Sequence, residues 1–346
     1  MKIHILYNFK EGAWGGGNQF LKALRKYFVK KGCYAEFPNK ADVILFNSHH
    51  ELKSVLRLKI ERPQTIFIHR VDGPILYTRG GGRETDKIIF DFNQSIADGT
   101  VFQSKWSRNK SYELGMKKNE FETAIINAPD SEIFYPSKNE QPRSDGEKLK
   151  LIAACWATNI KKGFDIYEFI DKNADFNKYE ITFVGRSPVE FRNIRHIPPQ
   201  SSEKLAGLLR EHDIFITASR NDPCSNALIE ALHCGLPAVV RNDGGHPEIV
   251  GAAGELFEDE RDILDTIEKV AQNYKYYQDR IKMSAMEDIG GRYFEFADRI
   301  YRDYLSGKYR PKQVNKTELM KVKAKVIKWK VVSKIETCKR LLRGNK

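Results

Sequence analysis

The sequence predicts an α/β protein of two doubly wound, Rossmann-like domains facing a cleft, followed by a basic helical tail. Three observations carry that prediction. Short β-branched runs alternate with amphipathic helical stretches, the pattern of βαβ units on mostly parallel sheets. The alternation occurs twice, on either side of Ser137–Glu147, a polar stretch with Pro142, Gly146 and no apolar periodicity that reads as a linker. A length of 346 residues, 41% hydrophobic and 30% charged, suits two globular domains and excludes wholesale disorder and fibrous repeats.

The first strand is read at Lys2–Tyr7, a run too short for the apolar core of a signal peptide. From Asn18 to Lys31, Phe20, Leu21, Leu24, Tyr27 and Phe28 share one helical face, and Gly32 stops the helix. Strands at Val43–Phe46, Thr65–His69, Gly99–Phe102 and Thr123–Ile126 alternate with helices around 49–59, 84–96 and 104–114, completing a domain over 1–137. The second domain, 147–290, has strands at Leu149–Cys155, Glu180–Val184, Asp213–Thr217 and Ala238–Arg241. Its helices fall at 163–172, 202–210, 224–234 and 259–282, with a further helix at 291–305. Ligands of such folds bind at the carboxyl ends of the strands.

The charge is unevenly placed. Lys and Arg number 58 against 46 Asp and Glu, a net +12, yet residues 311–346 hold twelve Lys/Arg and two Glu, so the body is nearly neutral. Lys alternates there with Val, Ile, Trp and Leu, which reads as an appended basic helix lying on an anionic membrane surface and contributing nothing to the core. No run of about 18 apolar residues offers a membrane span. Five cysteines without CxxC spacing fit neither a disulfide framework nor zinc, so the expectation is a reduced, cytoplasmic protein, peripheral on the inner membrane face.

The densest constellation runs from Ser219 to Gly235. Asp222 takes the N-cap place with Pro223 opening a helix, which would leave the amides of Cys224, Ser225 and Asn226 free for a phosphate. Glu230 falls eight residues on, inside an apolar helix, where a buried carboxylate needs donors; nucleotide sugar hydroxyls or a neighbouring backbone amide would supply them. One strand later, Asp243-Gly244-Gly245-His246 allows close backbone approach to a ligand. Lys161 and Lys162 follow a strand and suit a diphosphate. Trp14-Gly15-Gly16-Gly17-Asn18 fits neither G-x-G-x-x-G nor a Walker A loop. The histidines, His49–His50 included, lack metal-ligand spacing, and no D-x-D occurs, so no metal and no cofactor are expected.

Together these pieces resemble the retaining glycosyltransferases of family 4, also called group 1, which have the GT-B fold. Asp222 and Glu230 match that family's E-x7-E motif with aspartate first. Asp243–Val250 is similar to its glycine loop, Lys162-Gly163 to its diphosphate lysine, Gly15–Gly17 to its N-domain glycine loop, and Asn127–Phe134 to the segment closing the N-domain. The resemblance covers about residues 1–305. It implies transfer of a sugar from a nucleoside diphosphate donor to an acceptor hydroxyl with retention, in surface polysaccharide or glycoconjugate assembly. It further implies donor contacts at Gly16, Gly17, Lys162, Asp222, Cys224, Ser225, Asn226, Glu230, Gly244 and Gly245. Lys162 would meet the diphosphate, Asp222 and the Gly244–Gly245 amides the sugar, and Glu230 the ribose. His69, at a strand end, would face the donor sugar in a catalytic place, with Arg70 and Asp72 on the acceptor side. The helix of residues 291–310 would return to the N-domain. Two departures stand out: Trp156 and Asn159 occupy the stretch where the family has an arginine, and the first acidic residue is the shorter aspartate. A glycan or lipid-linked acceptor follows. The rival functions are a nucleotide-sugar epimerase of the same fold and a nucleic-acid binder using the tail, the latter disfavoured by a single tail aromatic, Trp329.

Overall fold

The computed structural model describes residues 1–12, 16–137, 147–314, 324–329 and 331–332. Trp14 and Gly15, the central linker and most of residues 315–346 lie outside the described residues. The chain divides into two compact units, Met1–Asn8 with Arg25–Ile125 and Gly290–Lys346, and Phe9–Leu24 with Ile126–Ile289. Residues 9–24 thus group with the second unit, not with the first as the order of elements along the chain predicts.

The first unit is a parallel sheet of β1 (Ile3–Leu6), β2 (Val43–Asn47), β3 (Ile66–Val71), β4 (Gly99–Phe102) and β5 (Phe121–Ala124), in that spatial order. Between these strands the chain forms α1 (Gly16–Lys30), α2 (Leu52–Glu61), α3 (Ile75–Arg79), α4 (Arg83–Ile96) and α5 (Lys105–Glu113). Every residue of β2, β3 and β4 is buried, which explains their largely apolar sequence: helices cover both faces of a parallel sheet.

The second unit is a six-stranded parallel sheet. Its elements are β6 (Leu149–Cys155), α6 (Phe164–Asn173), β7 (Tyr179–Gly185), β8 (Arg195–Ile197), α7 (Ser202–Arg210), β9 (Ile214–Thr217), α8 (Asn226–His233), β10 (Ala238–Arg241), α9 (His246–Val250), β11 (Gly254–Phe257), α10 (Ile263–Gln272) and α11 (Tyr274–Gln278). The strand order is β11-β10-β9-β6-β7-β8. Alternation along β6 splits the core: Ile152 and Ala154 join α7 and α8 on one face, while Leu151, Ala153 and Cys155 join α6 and α10 on the other. The single helix expected at 259–282 is two, α10 and α11, broken at Asn273.

The last helix, α12 (Met286–Leu305), packs in the first unit from Gly290 onward. Ile300 and Phe296 lie so close to Gly99 that a side chain there would strike them. The chain beyond corrects the expected free tail. Tyr309 is buried, its hydroxyl donating to Asp98 Oδ1 at 2.8 Å, and the Lys312 amide donates to the same oxygen at 2.7 Å. Residues 324–329 are helical, with Val326 5% exposed in the core beside Phe46, Phe67 and Phe92. Trp329 Nε1 donates to Thr85 Oγ1 at 3.0 Å and Lys325 pairs with Asp91 at 2.9 Å. A Lys/apolar alternation turns one side chain per turn inward, enough to dock on a ready-made surface although too little to show a core period in sequence.

Candidate functional site

In the second unit β10, β9 and β6 are neighbours, so the loops leaving their carboxyl ends meet. The loop after β6 makes a 3-10 turn, Ile160–Lys162, capped by Asn159, whose side chain accepts from the Lys161 amide at 3.0 Å. It is tied to the loop after β9 by the Arg220 amide, which donates to the Lys161 carbonyl at 2.6 Å. Gly163 follows at φ 72°, where a side chain would run into the Ala218 carbonyl. Only glycine accepts both conditions.

These contacts bring Lys162 Nζ to 2.9 Å from Asp222 Oδ2. Burial opposes the charge on both partners, but each holds the other ionised. Asp222 stays below the ordinary carboxylate range and Lys162 above the ordinary amine range. The third loop, after β10, lies on the backbone of Asp222: the Gly245 amide donates to the Asp222 carbonyl at 2.8 Å, and Gly244, at φ 66°, has no room for a side chain against that carbonyl. Asn221 adopts φ 53°, a left-handed conformation costly for a non-glycine residue, and its amide donates to Asp243 Oδ2 at 3.0 Å.

Three sequence-based expectations are corrected here. The N-cap of α8 is Ser225, whose hydroxyl accepts from the Leu228 amide at 3.4 Å, and the Cys224 amide is taken by Asp222 Oδ1 at 3.2 Å. Asp222 is therefore free of the helix and turned to Lys162, and among the described residues nothing accepts from the first-turn amides of Asn226 and its successor. The Gly244 and Gly245 amides are both occupied within the protein, the former by Asp243 Oδ1 at 2.6 Å, so these glycines serve close approach, not as free donors. The third correction is His69.

His69 is fully buried in β3, stacked on Phe46 with ring centroids 4.2 Å apart. Its Nε2 meets the Ser48 carbonyl at 3.0 Å and its Nδ1 the Asn93 side chain at 3.3 Å. Burial drives its pKa down to about 4. A neutral ring with both nitrogens engaged is a core residue, so the expected catalytic contact is not available to it. Its neighbours end at the rim: Arg70, also fully buried, donates to Asn47 Oδ1 at 2.6 Å and to Asp72 Oδ1 at 2.7 Å, while the Asp72 side chain remains 30% exposed.

Glu230 is buried in α8 with its pKa pushed up to about 8 by desolvation alone. Among the described residues nothing donates to it, so the donor that a buried carboxylate requires is not supplied by them. Asn226 accepts from Asn127 Nδ2 at 3.0 Å, and Gly16 lies directly against its side chain, whereas Gly17 faces open space. Trp156 packs partly buried against the α8 face of the core. One further residue belongs to the site, which the sequence marks only as part of the glycine loop. His246 is fully buried, its Nδ1 3.1 Å from the Arg241 carbonyl and its Nε2 without a partner among the described residues. Burial lowers its pKa against the pull of Asp222. A histidine inside a glycine loop has no period or spacing that could single it out.

Residues 166–273 match the family model described as glycosyl transferases group 1. That stretch is similar to group 1 glycosyltransferases. The matched stretch runs from within α6 to the end of α10 and so includes Asp222, Glu230 and the Gly244–Gly245 loop. The GT-B fold is shared with solved glycosyltransferases of low sequence identity. A sucrose-phosphate synthase from Thermosynechococcus elongatus aligns over 88% of this chain and 99% of its own at 13% identity, with a TM-score of 0.63. HepE from Anabaena, solved in complex with UDP-glucose, aligns over 89% and 99% at 13% identity, with a TM-score of 0.60. The catalytic domain of starch synthase IV from Arabidopsis thaliana, bound to ADP and acarbose, aligns over 84% and 79% at 12% identity, with a TM-score of 0.59. A comparison with curated proteins finds no significant match.

Proposed function

We propose that this glycosyltransferase moves a sugar from a nucleoside diphosphate sugar to an acceptor hydroxyl with retention at the anomeric carbon. The observation that carries the reading is the Lys162–Asp222 pair, held where three adjacent loops converge at the carboxyl ends of β6, β9 and β10. An ion pair among converging loops is a poor use of charge for stability alone. It is a good site for an anion with a sugar attached. The diphosphate takes Lys162 as its counter-charge, and the freed Asp222 carboxylate accepts from sugar hydroxyls. The open amides at the start of α8 face the phosphates, and the ribose hydroxyls supply Glu230 with the donors it lacks.

Bond cleavage leaves charge on the diphosphate, and Lys162 with the helix amides stabilises it as it grows. Holding the two substrates in line supplies the rest. Metal independence belongs to this proposal, since each charge that develops has a protein group assigned to it. A glycan or lipid-linked acceptor, in surface polysaccharide or glycoconjugate assembly, is the companion reading. Peripheral attachment to an anionic membrane face is supported by the basic residues of 311–346 and by the exposed Ile327 and Val331. Among the described residues no helix is long and apolar enough to cross a membrane.

Calorimetry with UDP, ADP, GDP, CDP and dTDP tests the donor site. At least one should bind, and Lys162→Ala should weaken it. If none binds, or if Lys162→Ala and Glu230→Gln bind as wild type, the site is misplaced. The epimerase alternative is separated by product: a changed nucleotide sugar without acceptor in place of a new glycosidic bond.

A further inference from the structure

His246 belongs to the donor site, yet the transfer reading gives it no task. It opens α9, directly after the glycine loop that lies on the backbone of Asp222. The residue is fully buried, with Nδ1 at 3.1 Å from the Arg241 carbonyl. A carbonyl only accepts, so Nδ1 carries the proton of the neutral ring and Nε2 is left with a lone pair. Among the described residues nothing donates to that lone pair. A buried acceptor left in this state is rare in folded proteins and asks for a reason beyond packing.

The reason lies in the charges that surround the ring. The loop after β9 brings Asp222, the loop after β6 brings Lys162, and the loop that carries His246 itself brings Asp243. Burial holds the ring below its ordinary value; the two carboxylates pull toward the imidazolium and Lys162 pushes against it. The helix packed on α9 is α8, whose titratable groups are Glu230 and His233. Both nitrogens of His233 already meet carbonyls, and Glu230 keeps its proton up to about pH 8. In the free protein Lys162 and Asp222 cancel each other at 2.9 Å. A nucleoside diphosphate brings further negative charge and draws on Lys162, which leaves Asp222 buried with its counter-charge shared. Each vacant base nearby then binds a proton more readily. Imidazole, with an ordinary value of 6.5 against 3.8 for the aspartate, is the base that takes it. Protonation also turns the orphaned Nε2 from an acceptor into a donor.

We propose that His246 is a positioning residue that takes up a proton when the nucleoside diphosphate binds, and so succeeds Lys162 as the counter-charge of Asp222. Asp222 then stays ionised and accepts from the sugar hydroxyls while Lys162 serves the diphosphate. The proton comes from solvent and returns there when the nucleotide leaves, so the only bond made and broken is N–H. The place of the nucleotide in this account rests on the transferase reading.

The test uses the full chain with nitrogen-15 in the rings of its eight histidines, His246 being assigned from its absence in His246→Asn or His246→Gln. Spectra are recorded at about pH 7, free and saturated with whichever of UDP, ADP and GDP calorimetry shows to bind. The free protein should show Nδ1 protonated and Nε2 unprotonated, and saturation should move Nε2 into the protonated range. Calorimetry across about pH 6.5–8.5 then compares the wild type with His246→Asn. The ratio of the two affinities should fall as pH rises, by up to about tenfold per pH unit, because the wild-type complex alone gains the imidazole proton. Ionisation of the nucleotide and of Glu230 is common to both proteins and cancels in the ratio. A merely structural role would lower the variant's affinity by the same factor at every pH. An Nε2 that stays unprotonated in the saturated complex, an imidazolium already present without nucleotide, or a ratio flat with pH overturns the proposal and leaves the donor site standing. If none of the three nucleotides binds, the transferase reading falls and this inference falls with it.

Discussion

Cutting the chain after Gly307 removes two of the four donors to the Asp98 carboxyl group. Asp98 is fully buried and accepts from Lys59 Nζ at 3.1 Å and the Phe67 amide at 2.7 Å through Oδ2, and from the Tyr309 hydroxyl at 2.8 Å and the Lys312 amide at 2.7 Å through Oδ1. Lys59 is equally buried, and burial lowers its pKa against the pull of Asp98. A hydrogen bond to a charged group contributes about 1.5–3 kcal/mol, so the cut costs about 3–6 kcal/mol from this carboxyl alone. Losing the burial of Val326 adds about 1.5–3 kcal/mol. Tyr309→Phe keeps the ring against Phe121 and removes one bond, so it should cost about half the Asp98 share. Against a typical total of about 5–15 kcal/mol, the cut leaves the first unit marginal while the point variant folds. A chain of two units need not unfold in one step, so the assay is amide hydrogen exchange on β2 and β3 in increasing urea, with the second unit's β6 and β7 as internal control. Protection in β2 and β3 should fall in the order wild type, Tyr309→Phe, cut chain. Equal protection of the three proteins would refute the reasoning and restore a tail that contributes nothing to the fold.

Lys162→Ala should lower transfer by about 10²–10³, the cost of leaving leaving-group charge unstabilised, and Lys162→Arg should recover part of it; initial rates with an identified donor decide. Glu230 has a folded pKa of about 8 against an ordinary 4.5, so between these values the folded state holds a proton that the unfolded state has lost. Its contribution is fully present below the unfolded value and is lost as pH rises through the folded one. The second unit's stability should therefore fall across this window, by at most about 1.4 kcal/mol per pH unit, and Glu230→Gln should flatten the profile in urea melts across pH. With donor and acceptor in hand, EDTA should leave the rate within about twofold, because no step is assigned to a metal; activity lost and then restored by Mg²⁺ or Mn²⁺ would contradict this. Sedimentation with vesicles of graded anionic content should show binding that falls with salt on a screening length of about 8 Å, and Ile327→Ser with Val331→Ser should remove a salt-insensitive share. Equal pelleting on neutral and anionic vesicles would remove the electrostatic part.

By itself the sequence determined the two sheets, because parallel strands covered on both faces must be largely apolar and their helices must carry a 3.6-residue stripe. Leu149–Cys155, Gly99–Phe102 and Ala238–Arg241 announce themselves this way. Edge strands such as Arg195–Ile197, three residues long and at least partly exposed, carry no such mark. The Asp222–Glu230 spacing and the lysine after β6 were equally legible, since a rim loop on a doubly wound sheet is where such residues gather. Only the tertiary structure decided what those residues meet. A histidine at the end of a strand reads alike whether it points to solvent or, as His69 does, stacks on Phe46 with both nitrogens bonded. The Gly244–Gly245 amides read as donors until Asp222 and Asp243 are seen to occupy them. The same holds for the basic segment. Its local pattern is that of a solvated helix, and what draws Tyr309, Lys312, Val326 and Trp329 inward is a buried carboxyl at Asp98 with unmet acceptor capacity and an apolar surface over β2 and α4. Both come from residues more than 200 positions away, and a need created that far along the chain leaves no trace in the local sequence that meets it.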